Sequence, residues 1–196
     1  MTQYDLSPAI SALQKGEIII YPTDTQYALG CMIDDSSALF TLYALKKRPL
    51  DQPLPIAVSD IQMLEHVARI TPLAKTLIHH FLPGPLTLVL NQKKTLPQTM
   101  QTPANTIAVR IPDHPVALEL LRECGPLTIT SANMHGKKAE DIETIKKQLN
   151  KPLLAIDEGT LSSPPSTIID ARVKTPKLIR EGVLPYSTIL KAIEDE

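Results

Sequence analysis

Cysteine is scarce in this chain. Cys31 and Cys124 are the only two in 196 residues; each adjoins a glycine, and no C-x-x-C spacing is present. A disulfide framework or thiolate metal site is therefore not supported, and two buried reduced thiols are expected. The five histidines (His66, His79, His80, His114, His135) lack H-x-x-x-H or similar ligand spacing, which argues against a structural metal. No run approaches the ~18 apolar residues of a membrane span. Residues 1–15 contain Asp5 and lack the basic start and apolar centre of a signal peptide, so the expected location is the cytoplasm. A net charge of −1 excludes a protein that coats nucleic acid through its overall field. No Ser-His-Asp or Cys-His set, P-loop or G-x-G-x-x-G is present, so neither acyl-enzyme chemistry nor a standard dinucleotide fold is suggested.

What the chain has is the balance of a globular protein, 43% hydrophobic and 21% charged. Its length fits one domain over residues 1–196, and no linker or repeat divides it. The segment Ile18 to Gly30 stands out. Three consecutive isoleucines, Ile18 to Ile20, read as a strand buried on both faces. Pro22 offers no N–H to a neighbouring strand, so the chain must leave the sheet where Thr23, Asp24 and Thr25 line up three short polar groups. Ligands in open α/β sheets sit outside the carboxyl ends of strands, which marks this rim as a candidate site.

The remaining pattern alternates helices with strands. Ser7-Pro8 opens a helix that Gly16 stops, with Ser7 as its cap. Ser36 or Ser37 caps a second helix, which ends before Pro49 with Lys46 and Arg48 in its last turn. Leu54–Val58 reads as a strand, Asp60 caps a helix with Ile61, Leu64 and Val67 on its apolar face, and Thr71-Pro72 opens another. Pro83-Gly84-Pro85 bends the chain into a strand at 86–90, and 92–105 reads as an exposed loop. In Ile107–Ile111, alternation points Arg110 away from the face of Ile107, Val109 and Ile111. A helix follows from His114-Pro115 to Gly125, then a strand at 127–130 that runs into Ser131-Ala132-Asn133, a second polar rim. Helix 140–149, strand 153–157, a loop at 158–165, strands at 168–169 and 178–179 and a last helix from Ser187 complete the chain.

Strand ends thus carry Thr23, Asp24, Thr25, Ser131, Asn133, Ser166, Thr167 and Arg180, with Lys46 and Arg48 one helix away. Among the short basic groups, Lys46-Lys47-Arg48 is the unusual one; Lys93-Lys94, Lys137-Lys138 and Lys146-Lys147 read as solvated surface. Hydroxyl and amide donors with a few fixed cations suit a phosphate site whose task is positioning and charge neutralisation.

Seven motifs in order, Tyr21-Pro22-Thr23-Asp24-Thr25-Gln26-Tyr27-Ala28-Leu29-Gly30, Lys46-Lys47-Arg48-Pro49, Pro83-Gly84-Pro85-Leu86-Thr87, Ala108-Val109-Arg110, Ser131-Ala132-Asn133, Pro165-Ser166-Thr167 and Arg180-Glu181-Gly182, resemble those of the YrdC-like family. They span residues 21–182. The resemblance implies an α/β (α+β) domain with a twisted mixed β-sheet flanked by helices around a concave basic cavity. It implies a nucleotidyltransferase, L-threonylcarbamoyladenylate synthase, which joins ATP, L-threonine and bicarbonate, releases pyrophosphate and serves threonylcarbamoyladenosine modification of tRNA with partner proteins. Thr25, Arg110 and Ser166 would then contact threonine. Lys46, Arg48, Thr106, Ser131, Asn133 and Arg180 would surround the nucleotide, with Lys46 and Arg48 in the catalytic role. Mg²⁺ is expected only as the companion of ATP.

The chain departs from many synthases at Asp24 (often Glu), Ala57 (His in some) and Ala139 (Ser in some), and with an end at residue 196 the extra C-terminal domain of longer members is not expected. Asp24-Thr25 and Tyr27-Ala28-Leu29-Gly30-Cys31 look more like the YciO branch, a paralogous group. Lys46-x-Arg48 and Ser131-Ala132-Asn133 look like the synthase branch. A YciO-like reaction and a non-catalytic RNA-binding accessory role therefore stand as alternatives.

Overall fold

A computed structural model describes residues 4–133 and 140–194; His135, Lys137, Lys138 and Ala139, named above, lie outside the described residues. The Ile18–Tyr21 run explains the architecture. β1 (Ile19–Tyr21) sends Ile20 into one core with Leu29, Leu88 and Val109, and Ile19 and Tyr21 into a second core with Ala28, Ala57, Leu120 and Leu127. Successive strand side chains point to opposite faces, so a strand between two cores must be apolar at every position. All three β1 residues are fully buried.

The expected mixed sheet is there, divided in two among the described residues. The smaller sheet runs in the order β8 (Thr130–Ser131), β2 (Ala28–Gly30), β1, β9 (Leu154–Ala155). β1 and β2 are antiparallel, with Tyr21 opposite Ala28, so the chain that leaves the sheet at Pro22 returns to it directly and the polar rim at 22–27 is the connection of a β-hairpin. The larger sheet runs β11 (Lys177–Arg180), β10 (Thr167–Asp170), β5 (Leu86–Gln92), β6 (Thr106–Arg110), β3 (Ile56–Ala57), β7 (Leu127–Thr128), and β4 (Ala68–Arg69) pairs with the far half of β5. The strand expected at 127–130 is therefore two strands. Leu127 and Thr128 pair with β3, the chain crosses at Ile129, and Thr130 and Ser131 pair with β2.

Helix termini follow capping chemistry, with three corrections. α1 (Ser7–Gln14) has Leu6 at its N-cap with no capping side chain, and Ser7, already the first helical residue, gives its N–H to the Asp5 carboxylate at 3.0 Å. α2 (Ser36–Lys46) takes Asp35 as its cap, because Asp35 has the extended backbone a cap needs and its Oδ1 accepts from Ala38 N at 2.9 Å; Ser36 and Ser37 are already helical. Only Lys46 falls in its last turn; Lys47 is left-handed (φ 50°) and Arg48 lies beyond the helix. α3 (Ile61–Val67) and α4 (Pro72–Phe81) start at Asp60 and Thr71 as expected, but Ile61 is exposed and α3 packs through Leu64 and Val67. α5 (Pro115–Cys124), α6 (Ile142–Leu149) and α7 (Tyr186–Glu194) complete the helices. The 92–105 segment is not wholly exposed: a 3₁₀ turn at Gln98–Met100 buries Met100, and Leu96 is buried beside it.

The C-terminal part folds back over the 165–167 corner. Val183 N donates to Pro165 O at 2.9 Å, Gly182 N donates to Thr167 Oγ1 at 2.9 Å, and Thr167 Oγ1 donates to Leu184 O at 2.5 Å. The backbones approach so closely that a Cβ on Gly182 would lie 2.0 Å from Pro165 O. Gly182→Ala should cost about 1–3 kcal/mol of stability through this clash. At this chain length that lowers Tm by about 2–12 °C. Leu50→Ala, at a 64% exposed position, should move Tm by less than about 2 °C. Thermal unfolding of the two variants checks this, and equal Tm values would remove the close-approach explanation.

Candidate functional site

Three polar knots lie around the hairpin connection at 22–27. The first is centred on Arg110, which the alternation of β6 turns away from the Ile107 and Val109 core, as expected, and which is nevertheless only 3% exposed. Its guanidinium donates from Nε to Gly84 O at 2.9 Å, from Nη1 to Thr25 Oγ1 at 2.9 Å and from Nη2 to Asp24 Oδ1 at 2.5 Å. Burial pushes the Arg110 pKa down and the Asp24 carboxylate pushes it back up; arginine stays charged through such shifts. Thr23 shapes the loop that delivers these groups: its Oγ1 accepts from Thr25 N and Gln26 N, both at 3.2 Å.

The second knot joins Ser166, Thr87 and Arg180. Ser166 Oγ and Thr87 Oγ1 are 2.9 Å apart, and Arg180 Nη2 donates to Ser166 O at 2.8 Å. It adjoins the first through the Gly84-Pro85 corner, since Gly84 O serves Arg110 while Pro85 O accepts from Thr167 N at 3.0 Å. Burial and then the positive charge of Arg110 hold the Arg180 pKa below its ordinary value, so the two guanidinium groups feel one another. Thr87 was absent from the sequence-based site. The available signal was a hydroxyl inside an otherwise apolar strand run, Leu86-Thr87-Leu88-Val89-Leu90.

The third knot is the Lys46 ammonium, which donates to Ser131 O at 2.7 Å, to Asn133 O and to Asn133 Oδ1 at 3.3 Å, while Ser131 Oγ donates to Asn133 Oδ1 at 2.7 Å. It stands next to the first because β8 pairs Ser131 with Ala28, the residue where the hairpin connection ends, and Ala132 N donates to Tyr27 O at 2.8 Å. Lys46 is 7% exposed, so it clamps the 131–133 segment to the end of α2 as well as supplying charge. Burial, helped by the neighbouring Arg48 charge, pushes its pKa down to about 8.

Two expected site residues stand outside these knots. Arg48 donates from Nε to Gln52 O at 3.0 Å and from Nη2 to Pro53 O at 2.9 Å, bracing the loop after α2 while remaining near enough to act on Lys46. Thr106 opens β6 at the opposite end from Arg110, roughly 13 Å away by strand rise. Its N–H donates to Thr102 Oγ1 and its carbonyl accepts from the same hydroxyl, closing a turn. Ala57 pairs in register with Arg110 on the adjacent parallel strand and is fully buried, so it lies beside the first knot.

A family model described as telomere recombination, the Sua5, YciO and YrdC group, matches residues 11–182. The chain belongs to the Sua5/YciO/YrdC family. It is 36% identical over 184 residues to a putative threonylcarbamoyl-AMP synthase of Mycobacterium tuberculosis, covering 92% of this chain and 84% of the relative. The fold matches the crystal structure of E. coli YciO with a TM-score of 0.84 at 31% identity, over 93% of this chain and 91% of that one. It matches the crystal structure of P. abyssi Sua5 complexed with L-threonine with a TM-score of 0.87 at 33% identity, over 95% of this chain but 56% of that one. This family chain thus spans little more than half of that longer protein. Among the described residues no helix is long and apolar enough to cross a membrane.

The Lys46 clamp gives a pH signature. Between about pH 8 and the ordinary lysine pKa of 10.5, the unfolded chain holds a proton that the folded chain has released. Stability contributed at this site therefore rises with pH through that window and is flat below it. The stability difference between wild type and Lys46→Met, measured by denaturant unfolding from pH 7 to 10.5, should shift toward wild type above pH 8. Subtraction removes the opposing loss from Tyr21 and Cys31, whose pKa values burial raises. A difference that stays constant across the range would reject the buried-ammonium account.

Proposed function

We propose that the chain is an L-threonylcarbamoyladenylate synthase, which converts ATP, L-threonine and bicarbonate to threonylcarbamoyl-AMP, pyrophosphate and water. The observation that carries this reading is the buried Arg110–Thr25–Asp24 knot lying between Ser166–Arg180 and the Lys46–Ser131–Asn133 clamp. One end offers hydroxyls and a guanidinium suited to an amino acid with a hydroxyl; the other offers cations suited to phosphate. The name of the Mycobacterium relative and the threonine complex of Sua5 support the same substrate.

The chemistry asks for positioning. The α-amine of threonine, deprotonated, forms a C–N bond to the bicarbonate carbon as water leaves, giving N-carboxy-threonine; one of its carbamate oxygens then attacks the α-phosphorus of ATP, an O–P bond forms, and the bond from that phosphorus to the bridging oxygen breaks as pyrophosphate leaves. No protein nucleophile is needed; the chain must hold the carbamate in line and neutralise charge on the phosphates. Thr25, Arg110 and Ser166 take the threonine. Arg180 and the Lys46 region with Arg48, Ser131 and Asn133 face the nucleotide, and Thr106 is its most remote contact. Mg²⁺ enters as the companion of ATP phosphates, because the described residues contain no group of three or more His, Cys, Asp or Glu able to form a resident site. The product passes to tRNA-modification partner proteins, in the cytoplasm.

A second reading, a YciO-like paralogue with a different nucleotide-dependent reaction, is favoured by one observation: the match to E. coli YciO spans nearly all of both chains. A non-catalytic RNA-binding role is the third, and its binding would fall steeply with salt as counterions are released.

Pyrophosphate released from ATP, dependent on both threonine and bicarbonate, decides among them. Serine keeps the hydroxyl and lacks one methyl, so it should work more weakly by about 1–3 kcal/mol. Valine, which has no hydroxyl to exchange hydrogen bonds with the polar groups of the site, should be poorer still. Arg180 lies at the edge of the site, exposed over part of its surface and tied to Ser166 O by one short hydrogen bond, so Arg180→Ala should lower Tm by only a few degrees, about what one hydrogen bond carries, while kcat/KM for ATP falls by about 10²-fold or more. Release that ignores the amino acid would reject the synthase, and full activity in the Arg180 variant would reject its nucleotide role. Lys46→Ala, in contrast, should lose both activity and stability, because the side chain holds three acceptors in place.

A further inference from the structure

Asp24 uses only half of its carboxylate. Oδ1 accepts from Arg110 Nη2, whereas Oδ2 is buried and has no hydrogen-bond partner among the described residues. An anionic oxygen taken out of water without a donor is costly, and native structures seldom leave one so unless a ligand completes it. The surroundings restrict what that ligand brings. Arg110 spends three of its five N–H donors, one each from Nε, Nη1 and Nη2, on Gly84 O, Thr25 Oγ1 and Asp24 Oδ1. The Asp24 and Arg110 charges cancel, and Arg180, close enough for the two arginines to repel, leaves a positive surplus on the side of Ser166. A donor group is required at Oδ2 and a negative group is favoured toward Arg180. A hard divalent cation fits poorly, since it needs several oxygen ligands and a guanidinium already occupies the other Asp24 oxygen.

We infer that Asp24 Oδ2 receives the α-ammonium of the amino-acid substrate when it first binds, before that amine loses its proton and is carboxylated, so that the site reads a zwitterion, ammonium on Asp24 and carboxylate toward the arginines. This rests on the threonine reading above and deepens it by adding a specificity-determining residue. The site then discriminates by the amine as well as by the hydroxyl, and compounds that keep the carboxylate and hydroxyl of threonine but lack the amine are rejected. Asp24 also sets Arg110, because the same carboxylate that waits for the ammonium fixes the guanidinium through its other oxygen.

Titration calorimetry of the full chain with L-threonine and with (R)-3-hydroxybutyrate, which lacks only the amine, tests this by binding alone. Wild type should prefer threonine by about 10- to 100-fold, the range carried by a hydrogen bond to a charged group. Asp24→Asn keeps the shape and an acceptor for Arg110 but can present an N–H where Oδ2 stood; it should compress the preference to about threefold or less, mainly through weaker threonine binding. Asp24→Ser serves as the second variant should the asparagine protein not fold, with the same expected compression. Equal affinity of wild type for the two ligands overturns the role of Asp24 whatever the variants do, as does a preference fully retained in either variant. Wild type that binds neither ligand overturns the threonine reading, and this inference with it.

Discussion

The buried guanidinium of Arg110 is the contact on which the rest of the site depends. It leaves the end of β6 in the larger sheet and is tied to the hairpin connection of the smaller sheet through Thr25 and Asp24, and to the Gly84 corner before β5. Withdrawing such a charge from water costs several kcal/mol and is sustained only when good geometry and an opposite charge compensate. Those partners come from segments 26 and about 86 residues away in sequence, so the charge can be satisfied only once both sheets have come together. The hairpin loop, the Gly84 corner and the end of β6 consequently hold one relative placement.

Lys46 plays the corresponding part on the other side of the loop. It is a cation reached through the end of a helix, buried, and fully engaged with carbonyl and amide oxygens of the 131–133 segment. Both cations thus organise backbone before any substrate arrives. Charges fixed in advance by the fold need no reorganisation when phosphate charge must be met, which is the condition under which electrostatic stabilisation is most effective. Arg48 and Arg180 differ in kind: they lie at the edge, bonded to carbonyls of nearby loops, and their charges are directed at the surroundings of the two knots.

Much of the fold was legible. The triple isoleucine run identified a strand between two cores because every position is apolar, and the Asp60, Thr71 and Pro115 helix starts follow from local capping and backbone rules. The misassigned caps at Ser7 and Ser36 or Ser37 are one- or two-residue displacements: Ser7 is already helical behind Leu6, with Asp5 accepting its N–H, and Asp35 takes the cap of α2 ahead of the serines. The 127–131 segment reads as one strand locally. Its division between two sheets depends on β3 and β2, distant partners that no local pattern encodes. Likewise the hairpin at 22–27 was invisible as a hairpin, because its six-residue connection carries no short turn signature.

The sequence by itself determined the polar residue types at strand ends, the outward direction of Arg110 from its strand and the ordered motifs that mark the family. These depend on local periodicity, backbone chemistry and composition. Only the tertiary structure decided that Asp24, Thr25 and Arg110 form one knot, that Thr87 joins Ser166, that Lys46 is a buried clamp, and that Arg48 and Thr106 stand apart. Each of those facts depends on the register between strands and on which long side chain finds an acceptor across the two sheets. Such pairings between distant segments are settled by burial and hydrogen-bond satisfaction of the whole chain at once.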